Sequence, residues 1–138
     1  MKPVLLDTGV IVALLDATDS FHQRCSEAIA GLGAPLVTCE AAIAESCYLL
    51  RRVEGAAEAV LENVREGVFQ IPLHLSESAK DIQRILRKYR DRDIDLADAC
   101  LVHLANEFGA GEILTLDRDF EIYRWERNNA FELLVRLD

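Results

Sequence analysis

Short apolar runs alternate along the chain with stretches of helical period. Val4-Leu5-Leu6 follows Pro3 and ends at Asp7, and Leu36-Val37-Thr38 follows Pro35. Val68-Phe69-Gln70-Ile71 ends at Pro72, Ile113-Leu114-Thr115-Leu116 ends at Asp117, and Leu133-Leu134-Val135 is the last run. All are short and β-leaning, and three abut a proline, beside which helices rarely continue, so they read as strands. Between them the pattern predicts a helix from an N-cap at Ser20 through Ile29, ended by Gly31 and Gly33. Residues 40–52 and 56–66 read as a helical pair broken at Gly55. Ser76 or Ser78 opens a helix running to about Tyr89, and residues 95–108 form another, ended by Gly109 and Gly111. Strands separated by helices predict an α/β fold, three-layer α/β/α, with a mostly parallel sheet. No repeat or linker divides residues 1–138, which read as a single domain.

Composition and charge narrow the function. Apolar residues make up 51% and charged residues 28%, which excludes a disordered chain. There are 24 acidic residues against 15 basic ones, a net charge of −9, so nonspecific attachment to DNA by charge alone is excluded. Chemistry on nucleic acid stays open if some carboxylates are occupied by cations. Cys25, Cys39, Cys47 and Cys100 contain no C-x-x-C pair and match no zinc spacing. They read as buried free thiols of a reducing cytoplasm. His22, His74 and His103 are isolated and read as structural or surface residues. Asp7 interrupts the apolar start, and the run Val10–Leu15 falls far short of the roughly 20 residues a membrane span needs. No targeting segment or membrane association is expected.

Four carboxylates stand where acids do not normally stand. Glu45 has Ala41, Ala42, Tyr48 and Leu49 as its helical neighbours, so it interrupts a stripe expected to face the core. Asp98 is the only charge in Leu96-Ala97-Asp98-Ala99-Cys100-Leu101-Val102, a segment apolar almost all round and therefore expected to be buried. Asp95 fits the helix cap better, which leaves Asp98 without a structural task. Asp7 and Asp117 each follow a strand, and ligands of open α/β sheets bind beyond the carboxyl ends of the strands. Asp119 is a weaker candidate after the same strand, and Asp16 and Asp19 flank a turn. The bland alternatives are a snorkelling Glu45 and aspartates that simply end strands. If the four converge, two charges about 5 Å apart at an effective dielectric of about 20 repel by about 3 kcal/mol. Such a site must take up protons or a cation. Carboxylates without His or Cys suit a hard ion, Mg2+ or Mn2+, and the chemistry inferred is phosphodiester hydrolysis.

Val4-Leu5-Leu6-Asp7-Thr8, Glu45, Asp95-Leu96-Ala97-Asp98-Ala99 and Leu114-Thr115-Leu116-Asp117-Arg118-Asp119-Phe120 together resemble the PIN domain, in particular the VapC-type toxins of toxin–antitoxin pairs. The resemblance covers essentially the whole chain and keeps the motif order. It implies a five-stranded parallel sheet flanked by helices and an Mg2+-dependent ribonuclease site, with Mn2+ able to substitute. It assigns Asp7, Glu45, Asp98 and Asp117 to the catalytic acidic quartet. Asp7 and Asp98 would be the direct metal ligands, and Glu45 and Asp117 would complete the shell or hold water and a second ion. Thr8 and Thr115 match supporting hydroxyl positions. Gly9 departs from the family, which more often has Ser or Asn there. The resemblance further implies an RNA substrate, a cognate antitoxin protein, a homodimer, and products with 5′-phosphate and 3′-hydroxyl ends.

Arg118, beside the expected site, is the candidate for phosphate contact. Arg51-Arg52 and the group Arg84, Arg87, Lys88, Arg90 and Arg92 are either a basic rim or an ordinary solvated face. Three other readings compete. Asp7-Thr8-Gly9 also resembles the signature of a homodimeric aspartic protease, but that fold is nearly all β. A phosphatase of the haloacid-dehalogenase type needs an aspartate where Gly9 stands. A PIN-like module acting only through protein contacts would leave the complete quartet without a use.

Overall fold

The computed structural model describes residues 1–138. The chain runs β1 (Val4–Leu6), α1 (Thr8–Leu15), α2 (His22–Ala30), β2 (Leu36–Val37), α3 (Glu40–Leu49), α4 (Ala56–Arg65), β3 (Phe69–Gln70) and α5 (Leu75–Lys88). It continues with α6 (Leu96–Phe108), β4 (Glu112–Leu114), β5 (Arg124–Trp125), β6 (Asn129–Ala130) and β7 (Glu132–Leu133). Five strands form one sheet in the order β3-β2-β1-β4-β7, and every pairing in it is parallel. β5 and β6 make a separate antiparallel hairpin that the sequence pattern does not announce.

Strand side chains alternate between faces, and here the alternation sorts the molecule into layers. Val4, Leu6, Leu36 and Leu114 pack with Val10 and Ile11 of α1, Cys25 of α2, Ile43 of α3 and Val60 of α4. Leu5, Val37 and Ile113 face the other way, onto Ile82 and Ile85 of α5, Leu101 and Leu104 of α6, and Phe120, Tyr123 and Phe131. This is the expected three-layer α/β/α arrangement, and a nearly all-β protease fold is excluded.

The sequence expectations differ from the structure at element ends. The Ser20 cap is not made: α2 begins at His22, and Asp19 turns the chain by accepting from the Phe21 N–H at 2.8 Å. Neither Ser76 nor Ser78 opens α5, which starts earlier, at Leu75, without a side-chain cap. Helix α1 is not announced by periodicity, because Thr8, Val10, Ile11 and Ala13 are buried and the rest half-buried, so no exposed polar face breaks the run. The breaks at Gly55 and Gly109 do occur, both glycines having positive φ (75° and 59°), as helix boundaries often require. Cys25, Cys39 and Cys100 are buried, Cys47 is half-buried, and all four are free thiols. His103 is buried, with Glu107 3.4 Å from its Nε2, while Nδ1 of His22 meets the Ala13 carbonyl at 2.7 Å. No helix is long and apolar enough to cross a membrane.

Trp125 of the hairpin packs against the residue just before β4. The Trp125 indole lies directly on Gly111, donates to the Ala130 carbonyl at 3.1 Å, and leaves no room for a Cβ. Gly111→Ala is therefore expected to destabilise the fold by about 1–3 kcal/mol. It should also shift the emission of Trp125, the only tryptophan of the chain. Chemical denaturation followed by fluorescence checks both, and an unchanged midpoint and spectrum would contradict the packing described.

Candidate active site

The strand order places a topological switch between β1 and β4: the chain moves outward one way through β2 and β3, and the other way from β4 to β7. A crevice opens at such a point beyond the strand ends. Here it is a cleft of about 470 Å³ that gathers Asp7, Glu45, Asp95, Asp98 and Asp117. Thr8, Gly9 and Arg118 also line it, with Leu49 and Leu116 as the only apolar walls. All four carboxylates singled out from the sequence reach this one cleft, although they come from four separate segments.

Asp7 directly follows β1 and caps α1. Its Oδ1 accepts from the Thr8 N–H at 2.8 Å, and its Oδ2 accepts from the Thr115 hydroxyl at 2.6 Å. The backbone N–H of Asp7 donates to the Leu114 carbonyl at 3.0 Å, which ties the residue to the neighbouring strand. Thr115, itself fully buried, accepts from the Asp117 N–H at 3.0 Å and so links two of the acids. Asp117 caps a 3-10 turn over Arg118–Glu121 by accepting from the Asp119 N–H at 2.9 Å. Asp95 caps α6, accepting from the Asp98 N–H at 2.8 Å, which fixes Asp98 in the first helical turn with its side chain facing the cleft. Thr8 is buried, and its hydroxyl has no partner in the protein.

Glu45 corrects one expectation. It does not interrupt a core-facing stripe: Glu45 is exposed, and Tyr48 and Leu49 on the same side are 62% and 53% exposed. The inward face of α3 is Ala42, Ile43 and Ser46 instead. The hydroxyl of Ser46 is satisfied by the Ala42 carbonyl at 2.7 Å, so a polar residue marks the buried side and two large apolar ones mark the outer side. Glu45 reaches the cleft from this outer side as one of its walls. None of Arg51, Arg52, Arg84, Arg87, Lys88, Arg90 and Arg92 lines the cleft. Arg51 stacks on Tyr48 at 3.9 Å, and Arg84 lies 3.6 Å from Asp81. Arg118 does line it, with its guanidinium 3.1 Å from Glu121. Asp119 holds the adjoining turn without forming part of the lining.

The cleft is an electrostatic anomaly. None of its five carboxylates takes part in an ion pair. Burial pushes Asp98 up to about 8, with Asp7, Asp95, Asp117 and Asp119 adding repulsion. Burial likewise raises Asp7 to about 6, against the opposing effect of its two hydrogen bonds. Asp117 is raised for the same reason, burial first. Two residues escaped the sequence reading. Asp95 was legible as a cap but not as a cleft wall. Tyr123, fully buried, approaches Asp98 Oδ2 through its hydroxyl at 3.5 Å and comes from a stretch without helical or strand period.

Both carboxyls titrate higher in the folded protein than in the unfolded chain, so the fold binds more protons between about pH 4 and pH 8. Their contribution is therefore most favourable below about pH 4 and is lost as pH rises through 6 and 8. In metal-free buffer, Asp98→Asn is expected to melt close to the wild type at pH 4 and about 5 °C or more above it at pH 8. Thermal melts across that range measure the gap, and a gap independent of pH would contradict the repulsion.

The comparisons with known proteins agree with the fold. The profile of the PIN domain matches residues 4–126, a span that takes in all five cleft carboxylates. "Ribonuclease VapC26" of Mycobacterium tuberculosis is 35% identical over 117 residues, covering 83% of this chain and 87% of that protein. The crystal structure of Mycobacterium tuberculosis VapC20, titled a sarcin-ricin loop cleaving toxin, superposes with a TM-score of 0.78 at 21% identity. That match covers 86% of this chain and 93% of the other, and at such an identity it speaks for the fold alone. A domain profile spanning nearly the whole chain, and a relative at this identity and coverage, show that the chain belongs to the PIN domain family.

Proposed function

We propose that this protein is an Mg2+-dependent endoribonuclease, with Mn2+ able to substitute, that hydrolyses RNA phosphodiester bonds as the toxin of a type II toxin–antitoxin pair. The observation that carries the reading is the pair of buried carboxylates, Asp7 and Asp98, unpaired by any cation at the switch-point cleft. The relative named ribonuclease VapC26 supports the activity and the toxin class.

The donors present suit a hard divalent ion. Carboxylates line the cleft together with Thr8, whose buried hydroxyl has no partner, and no His or Cys does. No three acidic side chains close round a single point. An ion that keeps several of its own waters needs only one or two carboxylates, which is how Mg2+ is usually held. A bound cation of this kind neutralises charge on a phosphoryl group and acidifies water.

In this reading the chain's own residues divide the work. Asp7 and Asp98 would hold the ion. Thr8 and Thr115 keep the Asp7 carboxylate oriented through the 2.8 Å and 2.6 Å hydrogen bonds already described. Glu45 and Asp117, which also line the cleft, would orient the attacking water or take a second ion, and Asp119 supports the turn that carries Asp117. Arg118 exchanges Glu121 for a phosphate of the RNA. Water adds to phosphorus in line, the bond to the 3′ oxygen breaks, and 5′-phosphate and 3′-hydroxyl ends result. The partners expected with this function are the RNA, a protein antitoxin and a second copy of the chain. Exposed Tyr48 and Leu49 on α3 and Leu61 on α4 are apolar surface available to such partners.

Asp7→Asn and Asp98→Asn should each lower RNA cleavage by at least about 100-fold while the protein stays folded. Gel-resolved cleavage with Mg2+, with circular dichroism as the folding check, tests this, and full activity in both variants would overturn the proposal. Arg118→Ala should weaken binding of single-stranded RNA and lower the magnitude of the salt slope by about 0.7. Affinity measured across a salt series shows it, and an unchanged slope would remove Arg118 from the phosphate contacts.

A further inference from the structure

The Asp98 carboxylate has one hydrogen-bonding neighbour in the protein, the Tyr123 hydroxyl at 3.5 Å from Oδ2. Tyr123 in turn is fully buried, and Asp98 is the one partner its hydroxyl has. A phenylalanine would fill the same space without placing a polar atom in the core, where a buried tyrosine hydroxyl ordinarily requires a partner. The packing need alone therefore does not account for the oxygen.

The ring is held firmly. It meets Tyr89 edge-on at 4.9 Å and Phe120 edge-on at 5.1 Å, and Phe120 meets Phe131 at 5.3 Å. The Tyr89 hydroxyl accepts from the Arg124 N–H at 2.9 Å, and the Tyr123 N–H donates to the Asp119 carbonyl at 3.0 Å. The backbone of Tyr123 is thus pinned from both sides. The same short segment that presents Asp117 to the cleft also carries Tyr123 to Oδ2 of Asp98.

We propose that Tyr123 is a positioning residue for the metal site: its hydroxyl donates to Asp98 Oδ2 and turns Oδ1 toward the ion. The proposal rests on the function proposed above. The contact is longer than the usual O–H···O distance, and hydrogen bonds of this kind often tighten only when a site is loaded. Groups that orient a metal ligand typically contribute 10–100-fold to affinity.

The test is Mn2+ binding by the full-length protein without RNA, measured by calorimetry for wild type, Tyr123→Phe and Tyr89→Phe, with melting in metal-free buffer alongside. Tyr89→Phe removes a hydroxyl from the same aromatic cluster, one that bonds backbone instead of Asp98. Tyr123→Phe is expected to weaken Mn2+ binding about 10-fold or more with an unchanged melting temperature. Tyr89→Phe is expected to lower the melting temperature and keep Mn2+ affinity within twofold. If Tyr123→Phe binds Mn2+ as the wild type does, or loses affinity only together with a fall in melting temperature, the positioning role is overturned. Failure of the wild type itself to bind Mn2+ would instead remove the metal-site reading on which the proposal stands.

Discussion

Asp7 and Asp98 are buried acids with no lysine or arginine against either, and the cost of burying their charge, to which repulsion from Asp7 adds at Asp98, sets the terms for everything around them. A buried carboxylate ordinarily escapes its predicament by pairing or by keeping its proton. Neither side chain can relax outward cheaply, because the backbone holds each where it stands. Asp7 is tied to β4 through Leu114 and caps α1, whose N-terminus offers a little favourable potential. Asp98 sits in a first turn fastened by the Asp95 cap. The arrangement lowers the stability of the ionised protein, a cost that proton uptake relieves and that a bound cation would relieve as well. That asymmetry is typical of sites kept for chemistry, where perturbed ionisation and burial coincide.

The scaffold gives this strain something rigid to push against. Three structural ends meet at the cleft: the end of β1, the residues following β4 and the first turn of α6. Each is anchored by hydrogen bonds that do not involve the cleft solvent, through Leu114, Thr115 and Asp95 respectively. The buried Thr115 hydroxyl is central, donating to Asp7 and accepting from the Asp117 backbone, so two of the acids share one intermediary.

Much of this was legible in the residue order. The strand runs at Val4–Leu6, Leu36–Val37 and Ile113–Leu114 are bounded by proline or aspartate, and being apolar throughout they are buried on both faces. Asp98 stood out because a charge in an apolar helix has no solvent to face, and it is buried as expected. Glu45 was singled out for a mistaken reason: Ser46 hides the inward side of α3, and exposed Tyr48 and Leu49 imitate one. The starts of α2 and α5 were misplaced because neither helix uses a side-chain cap, so serines nearby carried no information. Tyr123 and the β5–β6 hairpin depend on contacts between distant segments and leave no local period to read.

Helix α3 has a peculiarity of placement. Ala42 belongs to the core under α5 and α6, while the adjacent Ile43 belongs to the core under α1, α2 and α4. The helix is a splice between two separately packed bodies. Glu45 rides on that splice, so the place of its wall of the cleft is fixed by packing on both sides of the sheet.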